Sequence, residues 1–209
     1  MDRLSLATSL FSGNCTVSGF EDGFSAKFYF TWSVVKDAVN DSLILVADYG
    51  NNAICTVRKY DGLVETFVES WKLNWVGSLT QEPATGDIYA SAHDLLYLIS
   101  YSAKNHIKLN GQSAYSSATY INGPLQKAQF SYPNEFLMVA SKIVMVSDKR
   151  NLKVRMVDLV AGNASTVHLC GGKPNCSLKG LSALMLTGDS LYVGMNRVIH
   201  RFKSEFNCN

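Results

Sequence analysis

The residues that could carry metal or nucleophilic chemistry in this chain are its histidines and cysteines. The four histidines are His93, His106, His168 and His200. His93 and His200 fall near the ends of predicted strands, where they could approach a common mouth, although exposed turn histidines are the simpler interpretation. The sequence contains no CxxC pair, HExxH helix, GxSxG elbow, phosphate-binding P-loop or GxGxxG fingerprint. No catalytic residue, metal site or cofactor is therefore predicted from these residue types alone.

Cysteines and glycosylation sequons point to a cellular compartment. Cys170 and Cys176 flank a Gly-Gly-Lys-Pro-Asn loop and could close a local disulfide, or they could be small buried side chains. With five cysteines in all, at least one thiol stays free or pairs outside the chain. The N-x-Ser/Thr sequons are at Asn14, Asn40, Asn163 and Asn175. Together these features favour a secreted or cell-surface glycoprotein.

Composition sets limits on the partners. The 209 residues are 47% hydrophobic and 17% charged, which is ordinary for a globular protein with a sizeable core. The formal net charge of +2 gives no general reason to expect nucleic acid or an anionic membrane. No apolar stretch is long enough for a spanning helix, and the first residues do not make a convincing signal peptide. Met1 is either a native start or an internal boundary.

Short strands separated by turn residues have to position any site. Residues 43–47, 54–60 and 63–68 alternate or run apolar, and Asp61-Gly62 is a hairpin signal between the last two. Such a meander cannot bury its own faces and needs neighbours of the same kind. We divide the chain into four units of this type, residues 17–70, 71–111, 112–169 and 170–209. The last unit has three predicted strands, so residues 4–11 are predicted to supply its outer strand and close a ring.

Two of the units share a repeat motif. The first copy has Gly19, Asp22, Gly23, Ala26 and Phe28, then Asp48, Asn51, Asn52 and Arg58. The second copy has Asn122, Gly123, Ala128 and Phe130, then Asp148, Asn151 and Arg155. A period of about 40 to 50 residues with four strands per unit is typical of a β-propeller. The motif itself resembles the NHL repeat, and the resemblance is convincing over about half of the chain.

That resemblance implies structural roles before chemical ones. Asp48 and Asp148 are expected to accept backbone N–H groups in the turn after the second strand of a blade. Arg58 and Arg155 are expected to pair with these carboxylates or to pack on a neighbouring blade. NHL propellers usually have six blades, whereas four are counted here, so either the ring has four blades or another chain completes it.

The predicted fold is an all-β propeller of about four blades, and the predicted function is a non-enzymatic protein-interaction or scaffold module. A protein or a glycan is the expected partner, and the candidate interface residues are Tyr101, Tyr115 and Tyr120 around a long polar loop. One alternative, implied by related propellers, is a metal-dependent hydrolase or lyase with its ion on the axis. The other is an RNA-binding NHL domain, disfavoured because aromatic residues do not interleave with the basic cluster at Lys149, Arg150, Lys153 and Arg155.

Overall fold

The computed structural model of the chain describes residues 9–69, 71–110, 112–113, 119–169, 178–188, 190–195 and 198–203. In these residues the chain is almost entirely β-structure, with four antiparallel sheets arranged as a four-blade β-propeller. No helix among them is long and apolar enough to cross a membrane.

Each blade is a meander in which every strand pairs with the next one along the chain. The strands of blades one and two are β1 Thr31–Lys36, β2 Leu43–Asp48, β3 Ala53–Arg58, β4 Val64–Glu69, β5 Val76–Gln81, β6 Ile88–Ala92, β7 Leu95–Ile99 and β8 His106–Lys108. Those that follow are β9 Gln112–Ser113, β10 Gly123–Pro124, β11 Gln129–Phe130, β12 Pro133–Ala140, β13 Ile143–Asp148, β14 Lys153–Asp158, β15 Asn163–Val167, β16 Leu181–Thr187, β17 Ser190–Met195 and β18 Val198–Lys203. Blade three consists of β12 to β15, to which β10 adds a fifth strand, and blade four consists of β16 to β18. The strands predicted over residues 43–47, 54–60 and 63–68 are confirmed within a few residues as β2, β3 and β4, because short alternating apolar runs between Gly- and Asn-rich turns are a strong strand signal.

The hydrophobic core lies between consecutive blades. One cluster joins blades one and two through Leu45, Ile54 and Leu79. A second joins blades two and three through Leu96 and Phe136, and a third joins blades three and four, for instance through Val154 and Leu184. The innermost strands β1, β5, β12 and β16 contact one another in that order. Blades two and three are thereby each sandwiched between two neighbours, as the predicted architecture requires.

The segment that leads into each NHL-like blade packs on the outer strands of that blade. Asp22 accepts hydrogen bonds from the backbone N–H and the hydroxyl of Thr66, and Gly23 bridges to Val64. In blade three, Asn122 takes the same place and accepts a bond from Thr166. Gly23 and Gly123 have φ values of +102° and +113°, a region that L side chains rarely adopt. The turn therefore requires glycine at both positions.

The aspartate and asparagine of the repeat occupy matching positions in blades one and three. Asp48 accepts the backbone N–H of Tyr29, and Asp148 accepts that of Ser131, both at 2.8 Å between N and O. Asn51 and Asn151 each donate to the aspartate of the same turn. Both carboxylates are fully buried, and burial raises the pKa of each.

The two arginines do not occupy matching positions. Arg155 is fully buried and donates to Asp148 at 2.9 Å between N and O. Arg58 does not reach Asp48; it pairs with Asp61 three residues along, at the surface. Strand register shows why, because Cys55 lies opposite Val46 just as Arg155 lies opposite Val146. Cys55 is thus the counterpart of Arg155 in blade one, and the sequence alignment on Arg58 was wrong by three residues.

Several predictions concern the ends of the chain and its loops. The closing strand predicted over residues 4–11 falls largely on residues 4–8, outside the described residues. Leu10 and Phe11 are not in a strand, and Ser12 donates to the carbonyl of Gly62 in blade one. Cys170, Cys176, Asn175 and Tyr115 also lie outside the described residues, so the local disulfide stays a prediction.

The thiols of Cys15 and Cys55 are both free, and we expect them to differ sharply in reactivity. Cys15 is exposed, whereas burial raises the pKa of Cys55 to about 12. Since the thiolate is the reactive form, a thiol-alkylating reagent at pH 8 should modify Cys15 in the native protein and Cys55 only after unfolding. Peptide mapping by mass spectrometry measures both sites at once. Labelling of Cys55 at the rate of Cys15 would show that blade one is not packed as described.

Candidate functional site: an aromatic row across three blades

Three blades place an aromatic residue directly before their innermost strand, in an unusual backbone conformation. Phe30, Trp75 and Tyr132 have φ values of 65°, 58° and 54°, in the left-handed region. A bulky residue adopts this region at an energetic cost, and such strain concentrates at functional sites. In blade four the same position is Gly180, with φ 75°. The aromatic side chains are therefore a feature of blades one to three.

Turn residues of the preceding blade hold two of these aromatic residues, Trp75 and Tyr132, in place. The side-chain oxygen of Asn52 in blade one accepts the backbone N–H of Trp75 in blade two, at 2.8 Å. In the same way Asp94 in blade two accepts the backbone N–H of Tyr132 in blade three, at 2.7 Å. Asp94 lies in the turn between β6 and β7, is fully buried, and ties two blades together. Trp75 and Tyr132 are thus each positioned by the blade before them.

The rings form a continuous series, which we call the aromatic row: Phe30, Trp32, Tyr49, Trp75, His93 and Tyr132. The centroids of Phe30 and Trp32 are 6.1 Å apart, those of Trp32 and Tyr49 are 5.4 Å apart, and those of Tyr49 and Trp75 are 6.2 Å apart with only 7° between the planes. His93 continues the row at 5.1 Å from Trp75. Tyr132 neighbours Tyr49 and lines the same small cleft as Trp32, Trp75 and Asn134. Burial, with the hydroxyl of Tyr132 as neighbour, raises the pKa of Tyr49, so this phenol is neutral at pH 7.

The aromatic row is accessible to solvent although its rings contact one another. Phe30 is 63% exposed, and Trp32 and Trp75 are each 40% exposed. Large apolar side chains that stay open to water in a group usually mark a binding surface. Asn134 adds a partly exposed polar side chain to the cleft, whereas Ser91 is buried and accepts the backbone N–H of Ser78. The arrangement can therefore stack flat apolar surfaces of a ligand and orient its hydroxyl or amide groups.

One end of the row is basic. The ammonium of Lys149 lies 5.6 Å from the ring centroid of Tyr132, and the guanidinium of Arg150 lies 5.8 Å from it. Beyond them, Lys153 lies 4.3 Å from the ring of Tyr120. Residues 149–155 contain no aromatic residue, as the sequence analysis states, and the rings of Tyr120 and Tyr132 come from another part of the chain. Folding brings cations and rings together at this end.

The tyrosines predicted as interface residues have different environments. Tyr101 is half-buried, and its hydroxyl donates to Asp37 at 2.9 Å while its ring packs on Phe67. Burial and this hydrogen bond raise the pKa of Tyr101 to about 12. It thus contributes to the core between blades one and two rather than to an exposed surface. Tyr120 is 43% exposed and lies beside the basic end of the row.

The histidines are spread over the molecule rather than gathered at one mouth. His93 lies in the aromatic row, whereas His200 lies within β18 and stacks on Phe202. His106 packs on Tyr97, where burial and the nearby charge of Lys72 lower its pKa. In the described part of the chain, no three His, Cys, Asp or Glu side chains are grouped as metal ligands would be.

Comparison with known proteins supports the fold. No protein-family model matches the sequence, and no curated protein matches it either. The similar solved structures are β-propellers. An auxiliary nutrient binding protein from Bacteroides ovatus superposes with a TM-score of 0.64 at 15% identity, covering 88% of this chain and 52% of that one. A gluconolactonase from Xanthomonas campestris superposes with a TM-score of 0.64 at 11% identity, covering 85% of this chain and 59% of that one.

A chain of a nidogen/laminin complex is similar as well, with a TM-score of 0.50 and 12% identity over 83% of this chain and 75% of that one. This chain therefore spans little more than half the length of the first two propellers it matches. At these identities the likeness establishes the β-propeller fold and leaves the function to the chemistry of the site.

Proposed function

We propose that this chain is a non-enzymatic binding module of the NHL-repeat type, and that a glycan or a flat apolar surface of a protein partner stacks on the aromatic row. The observation that carries the proposal is the exposure of Phe30, Trp32 and Trp75 in one series. Phe30 and Trp75 have left-handed backbone, and a hydrogen bond from the preceding blade holds Trp75. A purely structural role would bury these rings, as the cores between the blades bury theirs. Rigid aromatic side chains bind with little loss of conformational entropy, which suits them to recognition.

The chemistry of the row favours a ligand with alternating flat and polar groups. Aromatic faces pack on the apolar C–H faces of sugar rings and on apolar side chains of proteins. The side-chain amide of Asn134 would then accept or donate hydrogen bonds at the edge of such a ligand. The Lys149 and Arg150 end additionally suits an acidic group.

A titration with oligosaccharides tests the proposal directly. Neutral and acidic oligosaccharides are added to the full chain while tryptophan fluorescence is followed, and calorimetry gives the affinity. We expect at least one class to bind and to change the emission, because two of the three tryptophans are in the row. Absence of binding to every sugar, together with no protein captured through the row in cross-linking, would contradict the proposal.

A second candidate is single-stranded RNA, and the rings beside Lys149, Arg150 and Lys153 favour it. Single-stranded nucleic acids bind where aromatic residues stack on bases and basic side chains follow the backbone. The two candidates differ in salt dependence. RNA binding should weaken steeply as salt rises, because phosphate contacts release counterions, whereas stacking on sugars should change little.

The alternative of a metal-dependent hydrolase or lyase calls for a different result. Elemental analysis of purified protein would then find one tightly held divalent ion per chain.

We propose that the protein is secreted or displayed at the cell surface, because the sequons at Asn14, Asn40 and Asn163 are exposed. A similar structure, the extracellular domain of a one component system from Bacteroides thetaiotaomicron, is consistent with this location.

A further inference from the structure

The face of blade one that points away from blade two is exposed to solvent. The corresponding faces of blades two, three and four are each covered by the preceding blade. In each blade, one residue of the innermost strand points toward the preceding blade: Leu79 in blade two, Phe136 in blade three and Leu184 in blade four. These three are 3%, 5% and 7% exposed. Val34 holds this position in blade one, opposite Val46, and is 60% exposed. In the described part of the chain, blade one therefore has no preceding blade packed against its inner strand.

The opposite face of blade four is open in the same way. Ile54, Leu96 and Val154 point from the third strand of blades one to three toward the following blade, and they are 0%, 2% and 0% exposed. Ile199 holds this position in blade four, opposite Gly194, and is 76% exposed. Met185, on the same face of the innermost strand, is 59% exposed. In a closed ring these side chains would lie against blade one.

The segments that lead into the blades follow the same pattern. Leu125, in the lead-in of blade three, is 4% exposed because it packs in the core between blades two and three. Phe24, in the lead-in of blade one, is 66% exposed. Among the described residues, no core cluster joins blade four to blade one. In the residues that the structure describes, the four blades therefore form an open arc, and its two end faces are apolar and exposed.

We propose that a second copy of this chain covers these faces, with blade four of each copy packed on blade one of the other. The contact would repeat the one that already joins blades one to two, two to three and three to four, because the same positions would meet. Two copies joined in this way give a closed ring of eight blades, within the usual range for propellers, and closure explains why the assembly would stop at two.

The charges at the two faces are complementary. Arg201 and Lys203 lie on the open face of blade four, beside Tyr192. Leu98 is the counterpart of Arg201 in blade two, and it packs on the core that holds the lead-in of blade three. Arg201 of one copy would therefore approach the lead-in of blade one of the other, where Glu21 is paired with Lys27 and the exposed carboxylate of Asp22 leaves a net negative charge. Opposite charges at such a rim orient the approach and fix the register.

Light scattering with size-exclusion chromatography tests the assembly on the full chain. We expect twice the chain mass of 23.0 kDa for the unmodified protein. Val34→Glu and Met185→Lys should each give the mass of one chain, because each variant disrupts both contacts of the ring. Both residues are exposed in a single copy, so thermal melting of the isolated chain should be retained. Val160→Glu, at an 82% exposed turn of blade three, is the matched control and should keep the double mass.

Mixing Val34→Glu with Met185→Lys tests the head-to-tail arrangement. In a mixed pair, one contact is unmodified, and the other brings the introduced carboxylate toward the introduced ammonium as a complementary pair, so the double mass should return. The proposal is overturned if the unmodified chain has the mass of one copy or of a larger series, or if Val160→Glu dissociates it as well. It is equally overturned if the mixture stays at the mass of one chain.

Discussion

Replacing Arg155 with leucine is expected to lower the free energy of unfolding by about 3–5 kcal/mol, because the change leaves the buried charge of Asp148 without its cation. The guanidinium is fully buried. Besides Asp148, it donates to the carbonyls of Gln129 and Ile121 at 3.1 and 3.0 Å and to the side chain of Asn122 at 3.0 Å. Leucine would fill much of the space beside Phe130 but would leave these acceptors without a donor.

Arg58→Leu is the matched control for this prediction. Arg58 also pairs with an aspartate, Asp61, but at the surface, where water replaces the lost partner. We expect almost no change in stability. Urea unfolding of the unmodified protein and of the two variants gives both differences in the free energy of unfolding, provided that the free energy falls with urea concentration at the same slope in all three. Equal midpoints for the unmodified protein and Arg155→Leu would show that the ion pair is not a structural element of blade three.

Replacing Trp75 with alanine is expected to weaken ligand binding by about 2 kcal/mol, roughly 30-fold, since aromatic anchors carry most of the binding energy at such sites. Trp75 lies in the middle of the aromatic row, between Tyr49 and His93. Its backbone N–H bond to Asn52 does not depend on the side chain, so the blade contact is retained.

Trp71→Ala provides a control of the same chemistry outside the row. Trp71 is 79% exposed, four residues earlier in the chain, and lines a separate open cleft with Lys72, Tyr97 and His106. Its loss should leave the affinity unchanged. Calorimetric titration of the same ligand against both variants makes the comparison. A larger effect of Trp71→Ala would move the site to that cleft.

The strands and the architecture could be predicted from the sequence because both follow from local patterns. Alternating apolar residues mark each strand, and Asp-Gly or Asn-Gly pairs mark turns that need positive φ. The matching turns at Asp48 and Asp148 also follow from residue identity. The part of Arg58 did not. The offset of three residues is odd, so Arg58 and Cys55 lie on opposite faces of β3, and strand register identifies Cys55 as the counterpart of Arg155.

The aromatic row was missed because its members are far apart in the chain and most of them lie outside the strands. A signal was present, since Phe30, Trp75 and Tyr132 each precede an innermost strand. The sequence does not predict that these residues adopt the left-handed conformation. Nor does it predict that Asn52 and Asp94 of the preceding blades accept the backbone N–H groups of Trp75 and Tyr132. Such contacts depend on how blades stack, which hydrophobic period alone does not specify.

The indole N–H signals of the three tryptophans in a nitrogen-edited NMR spectrum test the central claim most directly. Trp32 and Trp75 lie in the aromatic row, and Trp71 lies outside it. On addition of a ligand that binds, the signals of Trp32 and Trp75 should shift together while that of Trp71 stays in place. A ligand that binds and shifts only Trp71, or none of the three, would show that the aromatic row is not the binding surface.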